Sequence, residues 1–263
     1  MKKNKRDHQM KKNIFLFIIL NFILVNLSSS AEIKLSSDPW CPFTCEPNSD
    51  KPGFMVEIAK EIFKSAGHDV IYVKLNWARA LADAKAGVVN GVVGAAKYDV
   101  PGFILPTRSN AKSFNYFFVL KDDPWFFNGV DSLKGKEFVI INGYSYGSVV
   151  DKLIAKKHKS FKKLSGEDPL LRMIQMTESN RINGFIEDSS VLSYKLNSLM
   201  KKSDLFKVAS ANLAIDPNLY IAFSPTNPHS KEYAKILDEG MIKLRKSGRL
   251  AEILKKYSLK DWE

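Results

Sequence analysis

Residues Val70 to Val93 read VIYVKLNWARALADAKAGVVNGVV. Val70 to Leu75 is rich in strand formers. Asn76 is a favoured helix N-cap, and Ala80, Leu81 and Ala84 recur at helical spacing across Trp77 to Ala86. Gly87 supplies the stop, because a glycine takes the left-handed conformation that ends helices. Val88-Val89-Asn90-Gly91-Val92-Val93 then reads as a second, buried strand. Strand, helix and strand in succession predict a parallel pair with the helix packed across it.

The same order extends outward in both directions. Upstream, Ile33-Lys34-Leu35 is a short strand, and Pro52-Gly53 opens a helix with Met55, Ile58, Ala59, Ile62, Phe63 and Ala66 on one stripe before Gly67. Downstream, a second unit starts near Asp131. Phe138 to Ile141 is a strand, Asn142 to Gly147 a turn into a helix ending near His158, and Asp168 to Glu178 another helix. Ile182 to Ile186 and Ser189 to Leu199 repeat the strand–helix step. Two extended runs without helical period, Ser113 to Leu120 and Leu219 to Phe223, lie between and after the units. Ser230 is read as the cap of a long amphipathic helix through Leu244, broken at Gly248 before a last helix over Leu250 to Tyr257. The expectation is an α/β protein of two lobes joined by two crossings, an architecture that closes on a ligand.

The N-terminus bears on compartment. A basic segment ending Lys11-Lys12 precedes an apolar run, Ile14 to Leu27, and Ser28-Ser29-Ser30-Ala31 closes it with small residues. These are the parts of an export signal, and the run falls short of the about 20 apolar residues a spanning helix needs. Cleavage is expected after Ala31, leaving 34 Lys and Arg against 27 Asp and Glu in residues 32–263. The lysines are scattered, with no basic patch for nucleic acid; the densest group, Lys156, Lys157, Lys159, Lys162 and Lys163, reads as a solvated helix face. The two cysteines, Cys41 and Cys45, sit in the proline loop Pro39-Trp40-Cys41-Pro42-Phe43-Thr44-Cys45. No histidine set offers zinc spacing, and a redox pair normally has two intervening residues. An oxidising compartment makes the pair a disulfide, worth about 2 kcal/mol for so short a loop. It is expected to fix Trp40 on the cleft rim.

Several segments carry a family likeness. Gly53 to Ala59 resembles a first-helix start, and Trp77, Gly87 and Asn90-Gly91 a "W…L…G…D" segment. Ser132-Leu133-Lys134-Gly135-Lys136 is similar to a "dLkGk" opening of lobe two, and Arg181 to Asp188 to "rvDavv-D". Ser247-Gly248-Arg249-Leu250 is similar to a C-terminal "l-x-x-G-x-L". In order and spacing, over nearly all of 32–263, the chain resembles the family 3 extracellular solute-binding proteins, receptors of polar amino acid importers. The resemblance implies a type II periplasmic-binding fold, with lobe one from 32–118 and 219–263 and lobe two from 119–218. It also implies a small polar organic ligand, amino-acid-like or a carboxylate, clamped between the lobes and passed to an inner-membrane ABC permease by a monomeric, periplasmic protein without cofactor or metal.

In such receptors an arginine just after the strand matching Val88 to Val93 holds the α-carboxylate; here Pro101 falls at that place, which argues against ordinary α-amino-acid binding. Arg79 and Lys97 are the nearest replacement cations. Asp188 matches the position that holds the α-amino group, though an N-cap role suits it equally. Asn90 and Asn183 replace two family aspartates and read as structural. Trp40 and Trp77 are candidate walls. Gly143-Tyr144-Ser145-Tyr146-Gly147 opens a helix whose N–H groups suit a carboxylate, with a tight turn as the plain alternative.

Two other functions compete with uptake. A dehydratase-type enzyme on the same scaffold needs a cleft carboxyl of raised pKa, for which only Asp188 and Glu187 are nearby. A ligand-presenting sensor subunit is the other, and the chain is too short for a fused signalling or cell-wall-cleaving module.

Overall fold

In the computed structural model, which describes residues 32–263, the strand–helix–strand reading of Val70–Val93 sits inside the first of two sheets. The expected export signal and its cleavage site lie outside the described residues. Strand β1 (Glu32–Ser37) leads through the proline loop to helix α1 (Phe54–Ser65), then β2 (Asp69–Lys74), α2 (Trp77–Ala86) and β3 (Gly91–Ala96). Asn76 caps α2 as expected, its Oδ1 accepting the Arg79 N–H at 3.0 Å. Gly87 ends the helix at φ 80°. The third strand begins later than predicted. Val88 is 63% exposed, and residues 88–90 form a turn whose Asn90 Oδ1 accepts the Lys34 N–H at 2.7 Å. Pairing with β1 starts only at Gly91.

The chain then runs through β4 (Ala111–Lys112) and crosses to β5 (Asn115–Leu120). The second unit contains β6 (Phe138–Ile141), α3 (Ser148–Ala155), β7 (Phe161–Leu164), α4 (Pro169–Glu178), β8 (Gly184–Asp188), α5 (Ser189–Ser198) and β9 (Phe206–Val208). The return crossing leads to β10 (Asn218–Phe223), then α6 (Ser230–Lys246) and α7 (Arg249–Lys256). One sheet has the order β2-β1-β3-β10-β4 and the other β7-β6-β8-β5-β9. Each holds a parallel trio, with a crossing strand laid antiparallel against it: β10 on β3 and β5 on β8. Asn183 repeats in the second sheet what Asn90 does in the first, its Oδ1 accepting the Glu137 N–H at 2.9 Å. Both asparagines are therefore structural.

Three details depart from the sequence reading. The lysine group is not a helix face. Lys156 and Lys157 turn the chain after α3, and Lys162 and Lys163 sit on β7, an edge strand whose charges discourage further pairing. Ser230 is not a cap; it is the first residue of α6, and its hydroxyl donates to the Ser224 carbonyl at 2.5 Å. Leu81 is only half-buried, leaving Ala80 and Ala84 as the buried stripe of α2.

The C-terminal helix α6 closes over α1. A Cβ on Gly240 would come within 2.3 Å of Ile62, so only glycine allows this approach. Tyr233, Leu237, Met241 and Leu244 of α6 join Ile58, Ile62 and Phe63 of α1 in the core.

The first crossing is anchored by Asp188. Its Oδ1 accepts the Ser190 and Val191 N–H groups at 2.7 and 3.1 Å, capping α5. Its Oδ2 accepts the Ser113 hydroxyl at 2.8 Å and the Phe114 N–H at 2.7 Å. Losing a cap costs about 1 kcal/mol and leaving donors unpaired a further ~1–3. Asp188→Ala is thus expected to lower unfolding free energy by about 2–4 kcal/mol in urea titration. A loss under about 1 kcal/mol would show that the carboxylate does not hold the crossing.

Candidate functional site

The C-terminal ends of both parallel trios face each other across a cleft of about 610 Å³, mouth included. Such strand ends are where open α/β sheets bind ligands. From the first sheet come Ser37, Asp38 and Trp40 after β1, Trp77 at the start of α2, and Tyr98 and Asp99 after β3. The second sheet supplies Tyr144, Ser145 and Tyr146 after β6. The crossings add Ser113, Asn115 and Asp216.

The proline loop is built to hold Trp40. The Cys41–Cys45 disulfide is present, the Trp40 N–H donates to the Thr44 carbonyl at 2.7 Å, and the Thr44 hydroxyl donates to the Asp38 carbonyl at 2.8 Å. Phe43 stacks on Trp40 with centroids 4.4 Å apart. The loop rests on the start of α1, where Gly53 has φ 106° and a Cβ would lie 2.4 Å from the Phe43 oxygen. From the C-terminal end the Tyr257 hydroxyl accepts the Gly53 N–H at 3.0 Å and donates to Glu57 at 2.6 Å.

Two hydrogen bonds cross the cleft in opposite directions. Trp40 Nε1 donates to Glu187 Oε1 on β8 at 3.0 Å. The Tyr144 hydroxyl donates to Asp38 Oδ2. The Trp40 and Tyr144 rings meet edge to face, 6.5 Å between centroids. Burial pushes the Glu187 carboxyl up to about 8; the Trp40 and Asp188 N–H bonds oppose this, and the Asp188 and Asp38 charges add to it. Burial also raises Asp38, and it raises Asp99 to about 6. The Tyr144 and Tyr146 hydroxyls are held well above their ordinary range, first by burial and then by neighbouring carboxylates.

Of the residues singled out in the sequence, Trp40, Trp77, Tyr144, Ser145 and Tyr146 meet at this cleft, and Arg79, Lys97 and Asp188 do not line it. Arg79 is exposed and pairs with Asp83 one turn along α2, at 2.7 Å. Lys97 is exposed beyond the end of β3. Asp188 is fully buried behind the wall with both oxygens occupied. The helix start expected to receive a carboxylate already has one. Asp151, in the first turn of α3, accepts the Tyr146 N–H at 2.9 Å and the Gly147 N–H at 3.2 Å, and the Ser145 hydroxyl donates to it as well. The Tyr146 hydroxyl, in turn, accepts the Ile141 N–H at 2.8 Å.

Sequence reasoning passed over Asp38, Asp99 and Asp216. Asp38 follows β1 directly and Asp99 closes the short turn after β3, positions that already pointed to Trp40 and Lys97. Among the described residues, no Lys, Arg or His lines the cleft. Among the described residues no group of His, Cys, Asp and Glu is placed to hold a metal ion, and no helix is long and apolar enough to cross a membrane.

The Glu187 shift has a measurable consequence. The folded protein holds a proton on Glu187 between about 4.5 and about 8 that the unfolded chain releases, so this group's contribution falls as pH rises through that window. The groups facing it are Trp40, Asp38, Asp188, Tyr144 and Tyr146. Glu187→Gln keeps the shape without the titration. Its melting temperature minus that of wild type should therefore become more positive from pH 5 to pH 8; a flat difference would contradict the shift.

Comparison with known proteins adds the following. A search of curated proteins finds no match. Among solved structures, an ancestral arginine-binding protein bound to arginine is 17% identical, covers 86% of this chain and 97% of its own, and superposes with a TM-score of 0.69. A putative L-cystine ABC transporter protein from Listeria monocytogenes is 17% identical over 88% and 98%, TM-score 0.70. The amino acid ABC transporter substrate-binding protein AbpA from Streptococcus pneumoniae, bound to L-arginine, is 19% identical over 88% and 97%, TM-score 0.66. At these identities they share the two-lobed fold. The profile of the bacterial extracellular solute-binding proteins, family 3, matches residues 33–260, and the chain belongs to that family.

Proposed function

We propose that the protein is an exported receptor that clamps a small polar organic solute between its lobes and delivers it to an ABC importer. The observation carrying this is the pair of hydrogen bonds that bridge a strand-end cleft from opposite sides, Trp40 to Glu187 and Tyr144 to Asp38. They exist only when the sheets are close, so they favour the closed arrangement, and a solute bound in the cleft adds contacts of its own to the same arrangement. The solved structures of the same fold include proteins described as amino acid ABC transporter components. The lobes expected at 32–118 with 219–263 and at 119–218 follow the two sheets, except that residues 115–118 of β5 go with lobe two and Asn218 of β10 with lobe one. They turn as units about the crossings after Lys112 and Val208. The first 31 residues are the cleaved signal, and the mature receptor works in the periplasm as a monomer.

Trp40, Trp77, Tyr144, Ser145 and Tyr146 form the walls of the solute site. Arg79, Lys97 and Asp188 have other tasks: an ion pair on the helix surface, an exposed position after β3, and the hinge anchor. A dehydratase reading is disfavoured by Glu187, whose Oε1 accepts from Trp40 and Asp188 N–H groups behind the wall of the cleft. An acid so placed braces the site without facing a substrate.

Trp40 and Trp77 on the walls make the reading testable by intrinsic fluorescence. Titration with a panel of amino acids, amines and small carboxylates should give a saturable change for at least one solute. Trp40→Phe should reduce that signal. No fluorescence change and no thermal shift across the panel would overturn solute binding.

A further inference from the structure

The ionisable groups on the cleft that carry charge are of one sign. Pro101 stands where the resemblance places a carboxylate-binding arginine, and among the described residues no cationic side chain lines the cleft. At the second place suited to a carboxylate, the turn into α3, the Tyr146 and Gly147 N–H groups are already taken by Asp151 from within that helix. Facing the space instead are the carboxyl groups of Asp38, Asp99 and Asp216 and the rings of Trp40, Trp77, Tyr98 and Tyr144. Behind Trp40, Glu187 is 1% exposed and keeps Oε2 without a partner. This concentration of carboxyl groups does not follow from overall charge, because the chain carries a formal net charge of +12.

A carboxylate entering such a cleft meets like charges and no cationic partner, only neutral donors such as the Asn115 amide and the Tyr98 hydroxyl, which do not offset the repulsion of three carboxyl groups. A cation meets charge-assisted acceptors and aromatic faces, both of which strengthen as water is excluded. We propose that this receptor takes a small organic cation lacking a carboxylate, an alkylammonium or guanidinium compound, held by Asp38, Asp99 and Asp216 against the aromatic walls. The proposal rests on the solute-receptor reading of the cleft and narrows it to a ligand class. Asp99 is the acid best placed to test, because one oxygen, Oδ2, accepts the Ala96 N–H at 3.3 Å and the other has no protein donor. Asp216 Oδ1 accepts both the N–H and the side-chain amide of Asn218, and no donor among the described residues takes its Oδ2.

The test uses probe pairs that differ only by the α-carboxylate. Calorimetry at pH 7.5 would compare agmatine with arginine and cadaverine with lysine, with glutamate as the acidic probe. The decarboxylated member of at least one pair is expected to bind tenfold or more tightly than its amino acid, with no heat from glutamate. Asp99→Asn and Asp216→Asn, which keep the acceptors for Ala96 and Asn218, should each weaken that binding about tenfold while circular dichroism and melting of the ligand-free protein stay as in wild type. Tighter binding of arginine, lysine or glutamate than of the amines would overturn the cation class and leave the receptor reading standing. Failure of these probes together with silence across the broader fluorescence panel would remove both. Undiminished amine binding in the two variants would overturn the assignment to these carboxylates.

Discussion

Four donors converge on the carboxylate of Asp188: two N–H groups at the start of α5, the Ser113 hydroxyl and the Phe114 N–H of the crossing strand. A carboxylate taken fully out of water is tolerable only when its lone pairs are so filled. The consequence is mechanical. One buried group ties the end of β8, the cap of α5 and the first crossing into a single piece. The second crossing lies alongside the first, with the Ser113 N–H donating to Pro217 at 2.8 Å and the Leu213 N–H to Asn115 at 2.9 Å. Everything that happens at the cleft happens against this fixed edge.

The cleft in turn shows how a shared scaffold can carry a changed chemistry. Two sheets with the same strand order present their strand ends to each other, and the backbone geometry there favours anions at helix starts. Asp151 neutralises that tendency from inside α3, while Asp38, Asp99 and Asp216 reverse the sign of the space in front of it. The disulfide loop then supplies a rigid aromatic wall. Trp40 is fixed by stacking on Phe43, by the loop's own hydrogen bonds and by Glu187 from the opposite lobe. The raised pKa of Glu187 belongs to the same design, since a largely protonated carboxyl is cheaper to bury beside Asp188 and Asp38 than a charged one.

Much of this was legible in the sequence because local signals agreed with the fold. The Asn76 cap, the Gly87 stop, the apolar stripe of α1 and the extended crossings each lie where the residue pattern put them. The misreadings have physical causes. β9 is three residues long and β7 carries adjacent exposed lysines, so neither shows the alternation that marks a strand. Val88 and Val89 look like strand residues, yet the Asn90 side chain takes the Lys34 N–H first and delays pairing to Gly91. Ser230 carries a capping side chain, but the nearby Ser224 carbonyl claims its hydroxyl. At the cleft, the walls were visible as residues after strands, whereas the ion pair of Arg79 and the closed helix start depend on which rotamers neighbouring acids adopt. Family position pointed to Asp188; only the structure shows its two oxygens filled by four donors from β8's neighbours.

The central claim is that a cleft lined by acids and aromatics, with its anion sites closed, selects a cation. Native mass spectrometry of the protein purified without refolding, followed by release and identification of any co-purified small molecule, tests it most directly. The expected result is a single basic compound, an amine or guanidine without a carboxylate, bound one to one. A carboxylic acid or an ordinary α-amino acid in its place would contradict the claim.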